Sequence, residues 1–221
     1  MNILIIGQEH QVDELTLKFG NSHSYMTTSD PDTLEIKRAD VIFDFSVEES
    51  PENLEIYSDI IGLPVFVNSA KTSLAELAYM NGQVDCHLFG FNGLPTFVNR
   101  EVLEVSLLKQ IQKDDLQAIC KKLQTEFAIV DDRVGMVTPR IICMIINEAY
   151  YTVQEGTAGK EDIDLGMKLG TNYPYGPFEW AERIGVDNVY ELLEAVYDDT
   201  KDERYKICSL LKKEYIQLSI S

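Results

Sequence analysis

The chain opens with an apolar run that ends at a glycine, an arrangement that can bring a phosphate group close to the backbone. The turn after Asn2–Ile6 reads GQEHQV and starts at Gly7. A dinucleotide-binding turn uses three glycines so that the pyrophosphate can approach the amides of a helix N-terminus. This turn keeps the first glycine alone, and Glu9 adds bulk and negative charge where a phosphate would lie. It therefore predicts weak dinucleotide binding or a changed pose.

A carboxylate for a ribose could come from Asp30. In dinucleotide-binding folds, an acidic residue about 20 residues beyond the glycines binds the ribose hydroxyls. Asp30 has roughly that spacing from Gly7, but it stands in an SDPD sequence that is typical of a turn. The turn interpretation is favoured, and the ribose interpretation stays open.

The sequence gives little support for metal or redox chemistry. The three histidines, His10, His23 and His87, are scattered, and the four cysteines form no close pair. Metal sites and redox dithiols need ligands at short spacing. We predict no metal site and reduced, mostly buried thiols. With a net charge of −18, the chain would repel phosphate backbones and anionic lipid, so we expect neither nucleic acid nor a membrane as partner.

The first part of the chain alternates strand-like and helix-like segments, as parallel α/β sheets do. Capping patterns at Ser73 with Glu76 and at Ser50-Pro51 predict two helix starts. Two more helices are expected from Val12 to Phe19 and from Asp114 to Leu123. Short apolar runs predict strands at Asn2–Ile6, Val41–Phe45, Val65–Val67, His87–Phe91, Leu103–Leu107 and Phe127–Val130.

After Val130 the strand-like runs stop and helical patterns take over. We place the domain boundary between 1–132 and 133–221. Thr138-Pro139 reads as an N-cap and a first helical residue, opening a long apolar helix to Val153. Such a helix needs burial on several sides, in its own core or at a subunit interface. Shorter helices are predicted at Lys160–Leu169, Pro177–Ile184, Val189–Tyr197 and Tyr205–Tyr215.

Several unlike motifs in the second half occur in a fixed order. Glu148 lies in an NEA sequence, and EDIDLGMKLG and YPYGPFEW follow. With these motifs the residues from Val134 to about Ile216 resemble the C-terminal domain of the 3-hydroxyacyl-CoA dehydrogenase family. In the first half, VNSAKTSLAELA and GFNGLPTFVNREVLEV resemble segments of the same family's dinucleotide-binding domain. The resemblance implies a shortened Rossmann-like α/β domain followed by an all-helical domain.

The family transfers a hydride to or from NAD, and the resemblance implies which residues would do so here. A histidine takes the hydroxyl proton in the family, and a glutamate orients that histidine. The glutamate aligns with Glu104, whereas the histidine position holds Asn92, which cannot exchange a proton near neutral pH. His87, five residues earlier, could substitute only if the local chain folds back. Its alternative is an ordinary strand residue.

Other family positions align with polar residues that could bind cofactor or substrate. Asn68 matches an asparagine that could contact the nicotinamide ribose, or it could simply cap a turn. Ser69 stands beside Ala70, which replaces the family's serine. Thr138 stands beside Pro139, which replaces a family asparagine, and Arg140 is a candidate for a CoA phosphate. The resemblance thus implies NAD as cofactor and an acyl-CoA as substrate.

Two functions remain open on the sequence. One is an NAD-dependent 3-hydroxyacyl-CoA dehydrogenase-like oxidoreductase with an altered active site. The other is a catalytically inactive family member that binds an acyl-CoA, a nucleotide or a protein partner, because fold can outlast chemistry. The resemblance implies a homodimer through the helical domain. We expect a cytoplasmic protein, because no apolar stretch approaches the roughly 20 residues that span a bilayer and the N-terminus lacks a signal sequence.

Overall fold

The computed structural model describes residues 1–31, 33–82 and 84–220. The chain divides into two compact units, an α/β unit over Met1–Met136 and a helical unit over Val137–Ser221. The strands are β1 Asn2–Ile6, β2 Ser24–Thr28, β3 Val41–Asp44, β4 Pro64–Asn68, β5 His87–Phe91, β6 Val102–Leu107 and β7 Glu126–Val130. The helices are α1 Glu9–Phe19, α2 Thr33–Arg38, α3 Leu74–Asn81, α4 Lys113–Leu123, α5 Thr138–Gln154, α6 Lys160–Thr171, α7 Pro177–Ile184, α8 Val186–Thr200 and α9 Ser209–Ser219.

The strands form one seven-stranded sheet in the order β2-β1-β3-β4-β5-β6-β7. All neighbours run parallel except β5 and β6. The predicted Rossmann-like sheet is therefore confirmed, with β6 and β7 reversed against the other strands. The reversal follows from the short connection of residues 92–101, because a parallel partner needs a crossover of about a dozen residues or more, usually a helix.

Both faces of the sheet are buried. Ile3 and Ile5 belong to one apolar cluster, and Leu4 and Ile6 to a second cluster on the opposite face. This alternation explains why the central strands read as unbroken apolar runs. The run SYMTT of β2 was missed in the sequence because this edge strand is only partly buried and keeps polar side chains.

Aromatic rings fill one face of the sheet. Phe43 stacks on Phe66 with ring centroids 4.7 Å apart and meets Phe91 edge-on at 5.5 Å. Such ring pairs add about 0.5–1.5 kcal/mol beyond the area they bury. They hold together β3, β4 and β5, whose carboxyl ends carry the polar residues described below.

The four cysteines are free and buried, as expected from their spacing. Burial raises the pKa of both Cys86 and Cys120 to about 12. The thiolate is the reactive form of cysteine, so burial disfavours the reactive form of these two side chains.

In the helical unit, three helix starts differ from those predicted, and one of them is α8, which begins at Val186 rather than at Val189. Helix α5 begins at Thr138 itself with Val137 as N-cap, so Pro139 occupies the second position of the first turn. Proline is tolerated there because first-turn amides have no partner within the helix.

The last helix begins at Ser209, after a short 3-10 turn at Glu203–Tyr205. The side chain of Asn147 holds the segment between them. It donates to the Lys206 carbonyl at 2.9 Å and accepts from the Cys208 amide at 2.9 Å. Those backbone groups would otherwise serve a continuous helix, so the predicted helix from Tyr205 is interrupted.

Candidate active site at the carboxyl edge of the sheet

The carboxyl ends of β1 and β3 mark a change in the direction of the sheet. From β1 the chain crosses to β2 on one side and then returns to β3 on the other side of β1. Ligands of open α/β sheets bind in the crevice outside such a switch point. Gly7 and Phe45 follow these two strands, so the candidate site is built from this edge outward.

The turn after β1 is filled by a side chain of the same turn. The side-chain oxygen of Gln11 accepts a hydrogen bond from the Gln8 amide at 2.8 Å. A Cβ on Gly7 would lie 2.5 Å from that oxygen and 3.0 Å from the Phe45 ring. A side chain at position 7 would therefore require the end of the Gln11 side chain to shift. A phosphate could enter the turn only after the end of the Gln11 side chain moves away.

A cavity of about 380 Å³ lies at the ends of β2 and β3. Its walls include Asp30, Asp44, Ser46 and Asn53. Asp30 is exposed, in a turn where its amide is bonded to the Thr28 hydroxyl at 3.2 Å. The carboxylate of Asp30 can accept a hydrogen bond from a ribose hydroxyl without leaving this turn. The turn interpretation and the ribose interpretation of Asp30 are therefore compatible.

Asp44 also lines the cavity, and it is a candidate that the sequence did not suggest. It is 1% exposed and accepts hydrogen bonds from the Ser46 amide (2.8 Å), the Ser46 hydroxyl (2.7 Å) and the Tyr57 hydroxyl (2.8 Å). Burial raises the pKa of Asp44, while these three bonds act in the opposite direction. An acid inside the apolar run VIFDF was the available signal, since buried acids are rare unless they have partners.

Asn68, at the end of β4, joins two loops. It is 6% exposed; its amide group donates to Glu48 at 2.8 Å, and its oxygen accepts from the Gly93 amide at 2.9 Å. Glu48 also accepts from the Lys71 amide at 2.5 Å. Asn68 therefore fixes the loops after β3 and β5 at the same edge, and its amide group is already used within the protein.

Asn92 and Glu104 face each other across the antiparallel pair. Phe91 is in register with Val105, so the next residues along, Asn92 and Glu104, are also opposed, and the Asn92 amide donates to the Glu104 carbonyl at 3.4 Å. Directly opposed residues project to the same face with Cβ atoms about 5 Å apart. Asn92 is 2% exposed and Glu104 is half-buried. The two residues that align with the family's histidine and glutamate are therefore neighbours in space.

The loop between β5 and β6 is held by a carboxylate from α1. Glu14 accepts from the Thr96 amide and from the Asn99 amide, each at 3.1 Å. Thr96 has a φ of 74°, an uncommon conformation for a non-glycine residue, and these bonds help to hold it. Arg100 in the same loop lies within electrostatic range of Glu104: burial lowers the pKa of Arg100, and Glu104 opposes that change.

His87 lies at the wrong end of β5 to act with this pair. The strand is continuous from His87 to Phe91, which separates His87 from Asn92 by about 16 Å. His87 lies instead at the amino edge, with its Nδ1 atom 3.6 Å from a carboxylate oxygen of Asp115. The proposal that the chain folds back to present His87 as the base is therefore corrected, because the extended strand prevents it.

Ser69 is buried beneath the edge. Its hydroxyl has no hydrogen-bond partner among the described residues, and it is 1% exposed. A Cβ on Gly90 would lie 2.3 Å from the Ser69 hydroxyl and 2.3 Å from that of Ser106. The two hydroxyls therefore flank Gly90. The role of Ser69 toward a substrate stays a prediction, since in this structure its hydroxyl is closed off from solvent.

Thr138 and Arg140 belong to the helical unit. Thr138 is the first residue of α5. Arg140 donates to the Tyr205 hydroxyl at 3.0 Å, and its guanidinium lies 5.4 Å from the centre of that ring. Arg140 thus has a role inside the helical unit, and the expected contact with a CoA phosphate stays a prediction.

The motifs EDIDLGMKLG and YPYGPFEW meet within the helical unit. Asp164 accepts from the Phe178 amide at 2.8 Å and the Glu179 amide at 3.2 Å, which caps α7. Glu179 in turn accepts from the Gly176 amide at 3.0 Å and pairs with Lys168. The hydrogen bond from Lys168 lowers the pKa of Glu179. These contacts stabilise the helical unit, so the two motifs can be explained by the fold as well as by a function.

Over the parts of the chain that the structure covers, no cluster of three or more histidine, cysteine, aspartate or glutamate side chains could hold a metal. In the same residues, no helix combines the length and the apolar character needed to cross a membrane.

Sequence comparisons find similar proteins for the helical unit and for most of the chain. Residues 135–217 match the family model described as 3-hydroxyacyl-CoA dehydrogenase, C-terminal domain. A probable 3-hydroxybutyryl-CoA dehydrogenase of Bacillus subtilis (strain 168) is 30% identical over 188 residues, covering 81% of this chain and 65% of that protein. The 3-hydroxyadipyl-CoA dehydrogenase of Escherichia coli (strain K12) is 44% identical over 84 residues, 38% of this chain and 18% of that protein.

The fold is also found in a solved structure. That of (S)-3-hydroxybutyryl-CoA dehydrogenase PaaH1 from Ralstonia eutropha aligns with a TM-score of 0.73 at 22% identity, covering 96% of this chain and 92% of that one. At this identity the match supports the fold. The chain spans just under two thirds of the length of the Bacillus relative.

Proposed function

We propose that this chain is a member of the 3-hydroxyacyl-CoA dehydrogenase family. It would act as an NAD-dependent oxidoreductase of 3-hydroxyacyl-CoA and 3-oxoacyl-CoA with an altered active site. The observation that carries the proposal is the opposed pair of Asn92 and Glu104. The pair lies at the edge that also holds the Gly7 turn and the cavity beside Asp30. Cofactor and substrate groups would thus meet at one edge of the sheet.

Asn92 would orient the substrate rather than move its proton. Its amide group can donate a hydrogen bond to the carbonyl oxygen of a 3-oxoacyl group, but it cannot take up a proton at neutral pH. Glu104 is the member of the pair that can exchange one. In the oxidation direction, the Glu104 carboxylate would take the proton of the substrate hydroxyl, directly or through a water. NAD, when bound, would supply the acceptor for the hydride from the carbon that bears this hydroxyl.

NAD would be held by residues on both sides of the switch point. Asp30 would accept from the adenosine ribose, and the amides of the Gly7 turn would meet the pyrophosphate once Gln11 has moved. Glu9 is exposed at that turn, and its charge opposes an anion. We therefore expect a weak complex, with a dissociation constant nearer to the millimolar range than to the micromolar range.

Replacement of Glu104 by glutamine tests this assignment. We expect Glu104→Gln to slow the oxidation of NADH by acetoacetyl-CoA by roughly 100-fold, because a positioned proton-transfer group contributes at least about that factor. The matched control is Glu101→Gln, an exposed carboxylate near the start of the same strand. Absorbance at 340 nm measures the rate. Equal rates for the wild type and Glu104→Gln would remove Glu104 from the reaction.

The alternative function is a family member that binds an acyl-CoA, a nucleotide or a protein without reacting. The observation in its favour is that Asn92 stands where the family has a histidine. A protein that binds acetoacetyl-CoA but gives no oxidation of NADH at millimolar cofactor would support this alternative over the oxidoreductase.

We also propose a cytoplasmic homodimer formed through α5 and its neighbours. Val137, at the start of α5, is 48% exposed, and Ile141 is 55% exposed, so apolar side chains on this helix remain open to solvent in the single chain. Light scattering at micromolar concentration should give twice the 25.1 kDa chain mass. A mass of one chain would contradict the dimer.

A further inference from the structure

In the Gly7 turn, the backbone amide that would bind a phosphate already donates a hydrogen bond to a side chain. The side-chain oxygen of Gln11 accepts from the Gln8 amide at 2.8 Å, and Gln8 is the residue that precedes α1. A Cβ on Gly7 would come within 2.5 Å of the same oxygen. The end of the Gln11 side chain therefore lies directly over the glycine that would face the ligand.

The side-chain oxygen of Gln11 accepts a hydrogen bond from a backbone amide that could otherwise donate to a phosphate oxygen. Amides at the start of a helix carry partial positive charge and bind anions. In this turn the Gln8 amide is satisfied by the neutral side-chain oxygen of Gln11, the third residue of α1, as in a capping box. A bound pyrophosphate would have to replace that bond, whereas a nucleoside in the cavity beside Asp30 would not.

We propose that Gln11 is the residue that sets the affinity of this site for phosphate-bearing nucleotides, by occupying the turn when no ligand is present. This inference rests on the proposed NAD site and adds that the chain itself competes with the pyrophosphate. Gln11 is half-buried, and its side-chain amide lies at the end of a long side chain with several rotatable bonds. It can therefore move out of the turn at the expense of the bond to Gln8, without a change in the backbone.

Calorimetric titration of the full chain with adenosine, ADP and NADH tests the proposal. Gln11→Ala should bind ADP and NADH about three- to tenfold tighter than the wild type, which is the effect of one net hydrogen bond. Adenosine, which lacks phosphate, should bind both proteins equally. Gln11→Glu keeps an acceptor and adds a negative charge, so ADP should bind it roughly tenfold more weakly than the wild type.

Gln117→Ala is the matched control, because Gln117 is an exposed glutamine on α4 and its loss should change none of the three affinities. A second readout needs no ligand. Exchange of the Gln8 amide hydrogen, followed by NMR, should be faster in Gln11→Ala, since that amide loses its acceptor.

The possible outcomes separate this inference from the proposed function. If the wild type binds NADH saturably and Gln11→Ala binds ADP no tighter, the role of Gln11 is overturned and the oxidoreductase proposal stands. If Gln11→Ala gains ADP affinity but none of the proteins binds NADH, the role of Gln11 stands and the NAD-dependent function fails. If none of the proteins binds ADP or NADH, both are overturned.

Discussion

Replacement of Asn92 by histidine is expected to raise the rate of NADH oxidation by acetoacetyl-CoA by at least about 100-fold. A positioned general acid or base contributes roughly 10²–10⁴ to such a reaction. The two strands already place position 92 opposite Glu104, with a backbone hydrogen bond of 3.4 Å between them. A histidine there would have a carboxylate beside it to orient the ring, which is the arrangement that the family resemblance implies.

Two further variants show whether the gain comes from this pair. Asn92→His/Glu104→Gln should lose most of it, because the imidazole then has no carboxylate to orient it. Asn21→His adds a histidine at an exposed position before β2 and should leave the rate unchanged. Since Asn92 is 2% exposed, its larger replacement must also be shown to fold, by an unchanged melting temperature. A folded Asn92→His protein that binds NADH and remains as slow as the wild type would contradict the assignment of this edge as the active site.

Replacement of Gly176 by alanine is expected to destabilise the helical unit by about 2–4 kcal/mol. The added Cβ would lie 2.3 Å from the carboxyl carbon of Asp164. Asp164 would have to move, and its bonds to the Phe178 and Glu179 amides would be lost or lengthened. Steric overpacking and loss of charged hydrogen bonds each cost on the order of 1–3 kcal/mol.

Trp180 makes this change in stability measurable. It is the single tryptophan of the chain and lies buried on α7, so its fluorescence during urea unfolding reports on the helical unit. Gly166→Ala is the matched control, because a Cβ at Gly166 on α6 would meet no atom within 4 Å. That variant should be more stable by up to about 1 kcal/mol, since alanine favours a helix interior over glycine. If Gly176→Ala and Gly166→Ala changed the free energy of unfolding equally, the close contact between Gly176 and Asp164 would not be what holds EDIDLGMKLG against YPYGPFEW.

Most strands and helices could be predicted from the sequence because the local pattern of apolar and polar residues determines them. The apolar runs of the central strands are buried on both faces, so their composition alone identifies them, and β5 was placed at His87–Phe91 as found. The edge strand β2 was missed because half-burial leaves it polar. The reversal of β6 could have been expected, since residues 92–101 are too few for a crossover helix.

The candidate site residues could be predicted only where the family resemblance aligned positions of this chain with functional positions of the family. It placed Asn92 and Glu104, which the structure then brings opposite each other. The contacts of Asn68 with Glu48 and Gly93 join residues 20 and 25 positions apart. No spacing rule in a single sequence reveals such contacts. The sequence shows Gln11 only as part of a turn that lacks two glycines, because the contact with the Gln8 amide depends on where the side chain lies.

The most direct test of the central claim is the fate of deuterium from NADH labelled with two deuterium atoms at C4. The purified chain is incubated with acetoacetyl-CoA and with the labelled cofactor at millimolar concentration. The masses of the acyl-CoA products are then measured by mass spectrometry. Our account predicts 3-hydroxybutyryl-CoA with one deuterium at C3, formed slowly by the wild type and much more slowly by Glu104→Gln. Absence of labelled product from the wild type, when an authentic dehydrogenase gives it under the same conditions, would show that this chain does not transfer hydride.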